Sequence, residues 1–274
     1  MNDPGALLLP IAAMLAAGAG AGFAGGLFGI GGGFVVVPAL ILILPLIGAA
    51  PDQITHIAIG TSLATIIFTS LRSVQAHARR NAVDFEMLRS WAPWVVLGTG
   101  LGALVADVIS GPVLALVFGA GVLLMALHFL LPVFEGKQLA DTMPGGALRA
   151  GLAGGLGLFS ALLGIGGGTI ATVVMTLCGT AIHRAIGTAS GMGVIIAIPG
   201  MLGFAAIGWN EPGLPWGSFG YVNWPAALAI VATSIFFAPL GVAAAHRLSP
   251  ALLRNVFGVY LVFVGIMMIS NGMT

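Results

Sequence analysis

Charge is what this sequence has least of. Of its 274 residues, 6% are charged, against about 25% in a typical soluble domain. A soluble fold of this length could not cover its surface with so few charges, so lipid must be the solvent for most of it. The single cysteine, Cys178, excludes an intrachain disulfide; it sits in an apolar stretch and reads as a small packing residue. A net charge of +1 leaves no basic face for nucleic acid. The N-terminus, MNDPGALLLP, lacks a basic n-region, so the first apolar stretch reads as a retained span. No Asp or Glu stands mid-span: Asp107 ends an apolar segment, and Asp84 and Glu86 belong to a basic loop. Proton coupling through a membrane carboxylate is therefore disfavoured. HExxH, paired membrane carboxylates and Cys/His clusters are all missing, so intramembrane hydrolysis has no visible machinery. No catalytic residue, cofactor or metal is expected.

What the chain has instead is apolar length. Hydrophobic residues make up 59% and mean hydropathy is +1.12. A membrane-spanning helix needs about 20 apolar residues. Apolar segments fall near 6–28, 31–49, 54–76, 91–108, 112–131, 147–165, 168–180, 185–208, 223–245 and 251–271. Two are irregular. The second contains Pro38 and Pro45, and the seventh is too short to span. Both follow glycine-rich sequence, and both read as broken helices or arms of re-entrant hairpins. The expected fold is an all-α polytopic membrane protein of eight to ten membrane segments.

The nine Lys and Arg residues orient it. Arg72, Arg79, Arg80 and Arg89 lie in or beside the loop after the third segment, Lys137 and Arg149 in the central linker, and Arg184 before the eighth. Arg247 and Arg254 bracket the loop after the ninth. Ten crossings put them all on one side, facing Asp3, Asp52, Asp107 and Glu211 on the other. The positive-inside rule makes the basic side cytoplasmic, with both termini outside. A re-entrant hairpin at segments one and two would leave the rest of this topology intact.

The chain also repeats itself. Gly29-Ile30-Gly31-Gly32-Gly33 recurs as Gly164-Ile165-Gly166-Gly167-Gly168. His56-Ile57-Ala58-Ile59-Gly60-Thr61 matches His183-Arg184-Ala185-Ile186-Gly187-Thr188, and Val117-Phe118-Gly119 matches Val256-Phe257-Gly258, with Ser110 and Ser249 upstream. The repeats are 1–131 and 147–274, joined by a cytoplasmic linker, 132–146. The loop after segment three is basic and its counterpart near Trp209–Tyr221 is not; the Asp107 loop has no base and its counterpart carries Arg247 and Arg254. Corresponding loops thus lie on opposite sides, and the repeats are inverted, as in many secondary transporters. A duplicated structural protein or enzyme is the alternative.

The glycine motifs fit neither a Walker A loop nor G-x-G-x-x-G, so nucleotide binding is poorly supported. A helix broken at Gly31, Gly32 and Gly33, or at Gly166, Gly167 and Gly168, frees backbone N–H groups that lipid cannot satisfy. The N-terminus of the half-helix that follows carries about +0.5 charge and suits an anion. The other reading is close packing, as assigned to the small-residue ladders Gly18, Gly22, Gly26 and Gly98, Gly102. Thr61, Ser62, Thr188 and Ser190 supply hydroxyls that either reach a substrate or bond back to their own helix. Arg72 is an anion ligand or a snorkelling side chain. His128, within LMALHFLLP, is a buried neutral histidine or a candidate proton relay. His56 and His183 fit capping or interfacial roles.

The run Ala24-Gly25-Gly26-Leu27-Phe28 through Gly33 with Val37-Pro38 resembles the signature of the sulfite exporter TauE/SafE family. The second Gly-Ile-Gly-Gly-Gly, the Ala-Ile-Gly-Thr blocks at Ala58 and Ala185, and His77-Ala78-Arg79-Arg80 with Val83-Asp84 fit the same pattern. The likeness spans nearly the whole chain. It implies transport of a small sulfur anion such as sulfite, sulfoacetate or another organosulfonate across the inner membrane, often as export. Thr169 stands where Phe34 stands in the first motif, which would make Thr169 a contact in one half only. An anion channel of the same architecture and a membrane enzyme or assembly factor are the competing readings. The expected partners are the small anion and the bilayer; the oligomeric state is open, a homodimer included.

Overall fold

The computed structural model describes residues 4–131, 138–245, 247 and 249–273. Asp3, Lys137 and linker residues 132–137 lie outside the described residues. Ten α-helices follow one another: α1 (Pro4–Phe28), α2 (Gly33–Ile43), α3 (Ile54–Ala78), α4 (Phe85–Asp107), α5 (Gly111–Leu130), α6 (Gly146–Leu162), α7 (Gly168–Leu177), α8 (Ile182–Ile207), α9 (Trp224–Ala245) and α10 (Pro250–Met273). Two 3-10 turns, Leu44–Ile47 and Pro51–Gln53, join α2 to α3, and a two-residue hairpin precedes α9. This is an all-α polytopic membrane protein. Among the described residues six helices are long and apolar enough to cross a membrane. At 1.5 Å per residue, α2 and α7 reach only about 15 Å, half of a hydrocarbon core.

Helix α3 is the centre. Its apolar window is 78% buried, against 33–50% in the other five spans. It crosses α8 antiparallel: Gly187 lies against His77, Ser190 against Ser73, Gly193 against Ser70 and Gly200 against Leu63. Helices α5 and α10 are also antiparallel, with Gly258, Gly265 and Gly272 against Leu130, Leu123 and Leu116. Helices α1 and α9 run parallel. Gly18, Gly22 and Gly26 face the Ile230, Ser234 and Ala238 carbonyls so closely that a Cβ would collide. Helices α4 and α6 repeat that arrangement, with Gly98 and Gly102 against Gly154 and Leu158. Small residues at four-residue spacing bring backbones together where lipid offers no hydrophobic drive.

The helix starts refine the expected segments. Asp84 caps α4, its carboxylate accepting from Met87 N at 2.9 Å, so α4 begins at Phe85, six residues before its apolar stretch. The basic loop shrinks to 79–84, leaving Arg72 inside α3 and Arg89 inside α4. Asn223 does the same before α9, its Oδ1 accepting from Ala226 N at 3.0 Å.

Two ends of the bundle emerge. At one, the start of α3 meets the end of α4 and the α8–α9 loop, through His56 Nε2 to Ala106 O at 3.0 Å and Gln53 to Glu211 at 3.4 Å. Asp52 and Asp107 share this end. At the other, the end of α3 meets the starts of α4 and α8 and the end of α9. Arg184 pairs with Asp84 at 2.9 Å and Arg80 donates to Val242 O at 3.3 Å.

Candidate functional site

Both glycine motifs break their helices. Helix α1 stops at Phe28 and α2 starts at Gly33; α6 stops at Leu162 and α7 starts at Gly168. The residues that cap the two half-helices are Gly32, at φ +85°, and Gly167, at φ +64°. A side chain is strained in that left-handed region, which explains glycine at those two positions. Neither half-helix has a side-chain cap. The first-turn N–H groups of α2 and α7 therefore point out of their helices without an i−4 acceptor.

The two breaks lie against each other at the middle of the α3–α8 pair. Gly31 sits against Ile66 and Ser70 of α3, and Gly167 against Ile196 of α8. A Cβ on Gly33 would strike the Gly164 carbonyl, and one on Gly168 the Gly29 carbonyl. Gly166 N donates to Ile30 O at 3.3 Å. The breaks are thus in direct contact, and a solute can pass between them only if they part.

The hydroxyls divide. Ser62 Oγ donates to Gly164 O at 2.9 Å, tying α3 to the opposite break. Ser190 Oγ lies 2.9 Å from Ser73 Oγ and donates to Ile186 O; a Cβ on Gly29 would be 3.2 Å away. Thr61 and Thr188 face elsewhere. Thr61 Oγ1 accepts from Asn223 N at 2.9 Å, and Thr188 Oγ1 from Asp84 N at 2.8 Å. Each thus holds the capping residue of α9 or α4. Thr169, second residue of α7, is 5% exposed with an unpaired hydroxyl. Arg72 is exposed and reaches Gln75 Oε1 at 3.5 Å, away from the breaks. His128 lies in the last turn of α5, half-buried beside Phe129 rather than mid-span.

Sequence reasoning missed two features. Ser70 and Ser160 are fully buried with no hydrogen-bond partner. Ser70 Oγ would lie 3.0 Å from a Cβ on Gly31, and Ser160 Oγ 2.8 Å from one on Gly167. One unpaired hydroxyl therefore stands at each break. Nothing in the sequence separates Ser70 from Thr65 or Thr69, which bond back to Ser62 O and Thr65 O.

The second feature is a polar cavity of about 440 Å³ at the acidic end, lined by Asp52, Gln53, His56, Asp107, Glu211 and Tyr221 among others. His56 stacks on Tyr221 at 4.9 Å. Burial, and then the Glu211 and Asp107 carboxylates, push the Tyr221 phenol up to about 12. The acidic loops were visible in the sequence; their convergence around His56 was not.

The family model for sulfite exporter TauE/SafE matches residues 14–268. The chain belongs to the sulfite exporter TauE/SafE family. It is 34% identical to a "probable membrane transporter protein" of Haemophilus influenzae, over 93% of this chain and 96% of that protein. A protein of the same printed description from Methanocaldococcus jannaschii is 28% identical over 96% of each chain. Bacillus subtilis YunE, also described as a probable membrane transporter protein, is 27% identical over 92% of this chain and 94% of its own. No solved structure matches. As a member of this family the chain is a membrane transporter with multiple passes.

Proposed function

We propose that the protein is a secondary carrier for a small anion, namely sulfite, sulfoacetate or another organosulfonate, exported across the cytoplasmic membrane by alternating access. The observation that carries this is the meeting of two uncapped half-helix N-termini, at Gly33 and Gly168, midway along the central helix pair. Each terminus offers N–H groups and about half a positive charge to an anion, without any cationic side chain.

The moving parts of this reading are two inverted repeats, 1–131 and 147–274, around the 132–146 linker. The antiparallel packing of α3 on α8 and of α5 on α10 supports it, because each pair carries matching sequence blocks. So does the contact of the two breaks: Gly33 meets Gly164 as Gly168 meets Gly29. The gathering of Arg79, Arg80, Arg184 and Arg247 near one end favours that end as cytoplasmic, with both termini outside. Direct contact between the breaks favours a carrier over an open channel.

The test is reconstitution in liposomes with labelled sulfite and sulfonates. Saturable flux without unitary currents is expected. Absence of saturable flux for every one of these anions would overturn the reading.

A further inference from the structure

We infer that the site between the glycine breaks accepts a singly charged oxyanion, and that Ser70 and Ser160 donate hydrogen bonds to it. This rests on the anion-carrier reading and narrows it: of the anions named there, hydrogensulfite and singly charged sulfonates fit the site, and sulfoacetate, with two charges, does not.

Charge arithmetic carries the first half. Helices α1, α2 and α7 contain no charged residue. On α3, α6 and α8 the arginines are Arg72, which is exposed, Arg149, in the first turn of α6 and far along that helix from Ser160, and Arg184, which is paired with Asp84. The positive charge facing the breaks is therefore that of two helix N-termini, about +0.5 each. Together they balance about one negative charge. A dianion would bring a second charge into a buried site with nothing to offset it, and an unpaired buried charge is strongly disfavoured.

The unpaired hydroxyls carry the second half. Serine in an apolar helix ordinarily bonds back to its own backbone, as Thr65, Thr69 and Thr176 do with theirs here. Ser70 and Ser160 do not, although both are fully buried. Ser70 sits between the breaks: a Cβ on Gly31 would lie 3.0 Å from its Oγ, and one on Gly193 would collide with it. Ser160 Oγ stands beside Gly167. A tetrahedral oxyanion entering between the two N-termini has several acceptor oxygens. It can take one hydroxyl from each side in addition to the backbone N–H groups, as neutral donors that add no charge.

The experiment is competition against labelled methanesulfonate in proteoliposomes, using methyl sulfate (one charge), sulfate (two charges, similar size) and sulfoacetate (two charges). Methyl sulfate should compete about as well as methanesulfonate, and both dianions at least about 100-fold less well. Ser70→Ala and Ser160→Ala should each weaken methanesulfonate roughly tenfold, with the apo melting temperature unchanged or raised, since each removes an unpaired hydroxyl. Should one of them not fold, the other decides alone, and the charge series on the unmodified protein is independent of both. Sulfate competing within about threefold of methyl sulfate would overturn the charge half. Unchanged affinity in both folded serine variants would overturn the hydroxyl half. Either result leaves an anion carrier standing. Failure of all these anions to compete or cross would overturn the carrier reading itself.

Discussion

The two glycine breaks share a pentapeptide, a left-handed capping glycine and a buried unpaired serine, and differ in what packs behind them. Behind the first, Phe34 is fully buried, its ring edge-on to Phe257 at 6.2 Å and its carbonyl accepting from Tyr260 Oη at 3.2 Å. Behind the second, Thr169 takes the place of Phe34, and its hydroxyl is unpaired, as are those of Thr172 and Ser160. The first break is therefore anchored by aromatic packing to α10. The second is flanked by unpaired hydroxyls, and its tie is polar: Ser62 Oγ donates to the Gly164 carbonyl. Identical glycines fix where a helix can break; the residue that follows decides whether the break is wedged in place or left with donors to offer.

The steepest way to probe this contrast is to remove the wedge. Phe34→Ala should cost about 3–5 kcal/mol, read as a large fall in melting temperature in detergent. Thr169→Val should be neutral or slightly stabilising, because it deletes an unpaired buried hydroxyl. Equal losses from the two would dissolve the distinction.

Next come the capping glycines. A Cβ on Gly32 would run into the Ala21 backbone, whereas one on Gly167 would meet the ends of Ile196, Ser160 and Leu156 side chains. Both substitutions put alanine in the left-handed region, at about 1–2 kcal/mol. Gly32→Ala should add an overpacking cost of about 1–3 kcal/mol, while side chains at Gly167→Ala can shift aside. A smaller loss than at either glycine is expected from Tyr260→Phe, which removes one hydrogen bond to the first break and should cost about 0.5–1.5 kcal/mol. A comparable loss of flux without loss of stability would mean that Tyr260 takes part in transport rather than anchoring.

Much of the scaffold was legible in the chain. The small-residue ladders at Gly18, Gly22, Gly26 and at Gly98, Gly102 declared close helix packing, and each meets a carbonyl of the facing helix. The triple glycines declared interruptions, and α2 and α7 begin at Gly33 and Gly168. Local rules sufficed there, because spacing along one helix fixes which residues share a face. What escaped was set by partners distant in sequence. Thr61 and Ser62 are neighbours, yet one turns to Asn223 and the other to Gly164. Helix periodicity separates their directions by about 100°, but does not say what stands in each. The unpaired state of Ser70 depends in the same way on Gly31 and Gly193, from two other helices. Glu86 falls in the first turn of α4 rather than in the basic loop, because hydropathy marks where a helix becomes apolar, while the Asp84 cap marks where it begins.

The central claim is that transport requires the two glycine breaks to part. Ser73 of α3 and Ser190 of α8 lie with their Oγ atoms 2.9 Å apart, beside Gly29, and suit a reversible clamp. In a Cys178→Ala background, Ser73→Cys with Ser190→Cys can be oxidised to a disulfide and reduced again in the same proteoliposomes. Labelled methanesulfonate flux should vanish on oxidation and return on reduction. Undiminished flux with the disulfide fully formed would contradict the claim.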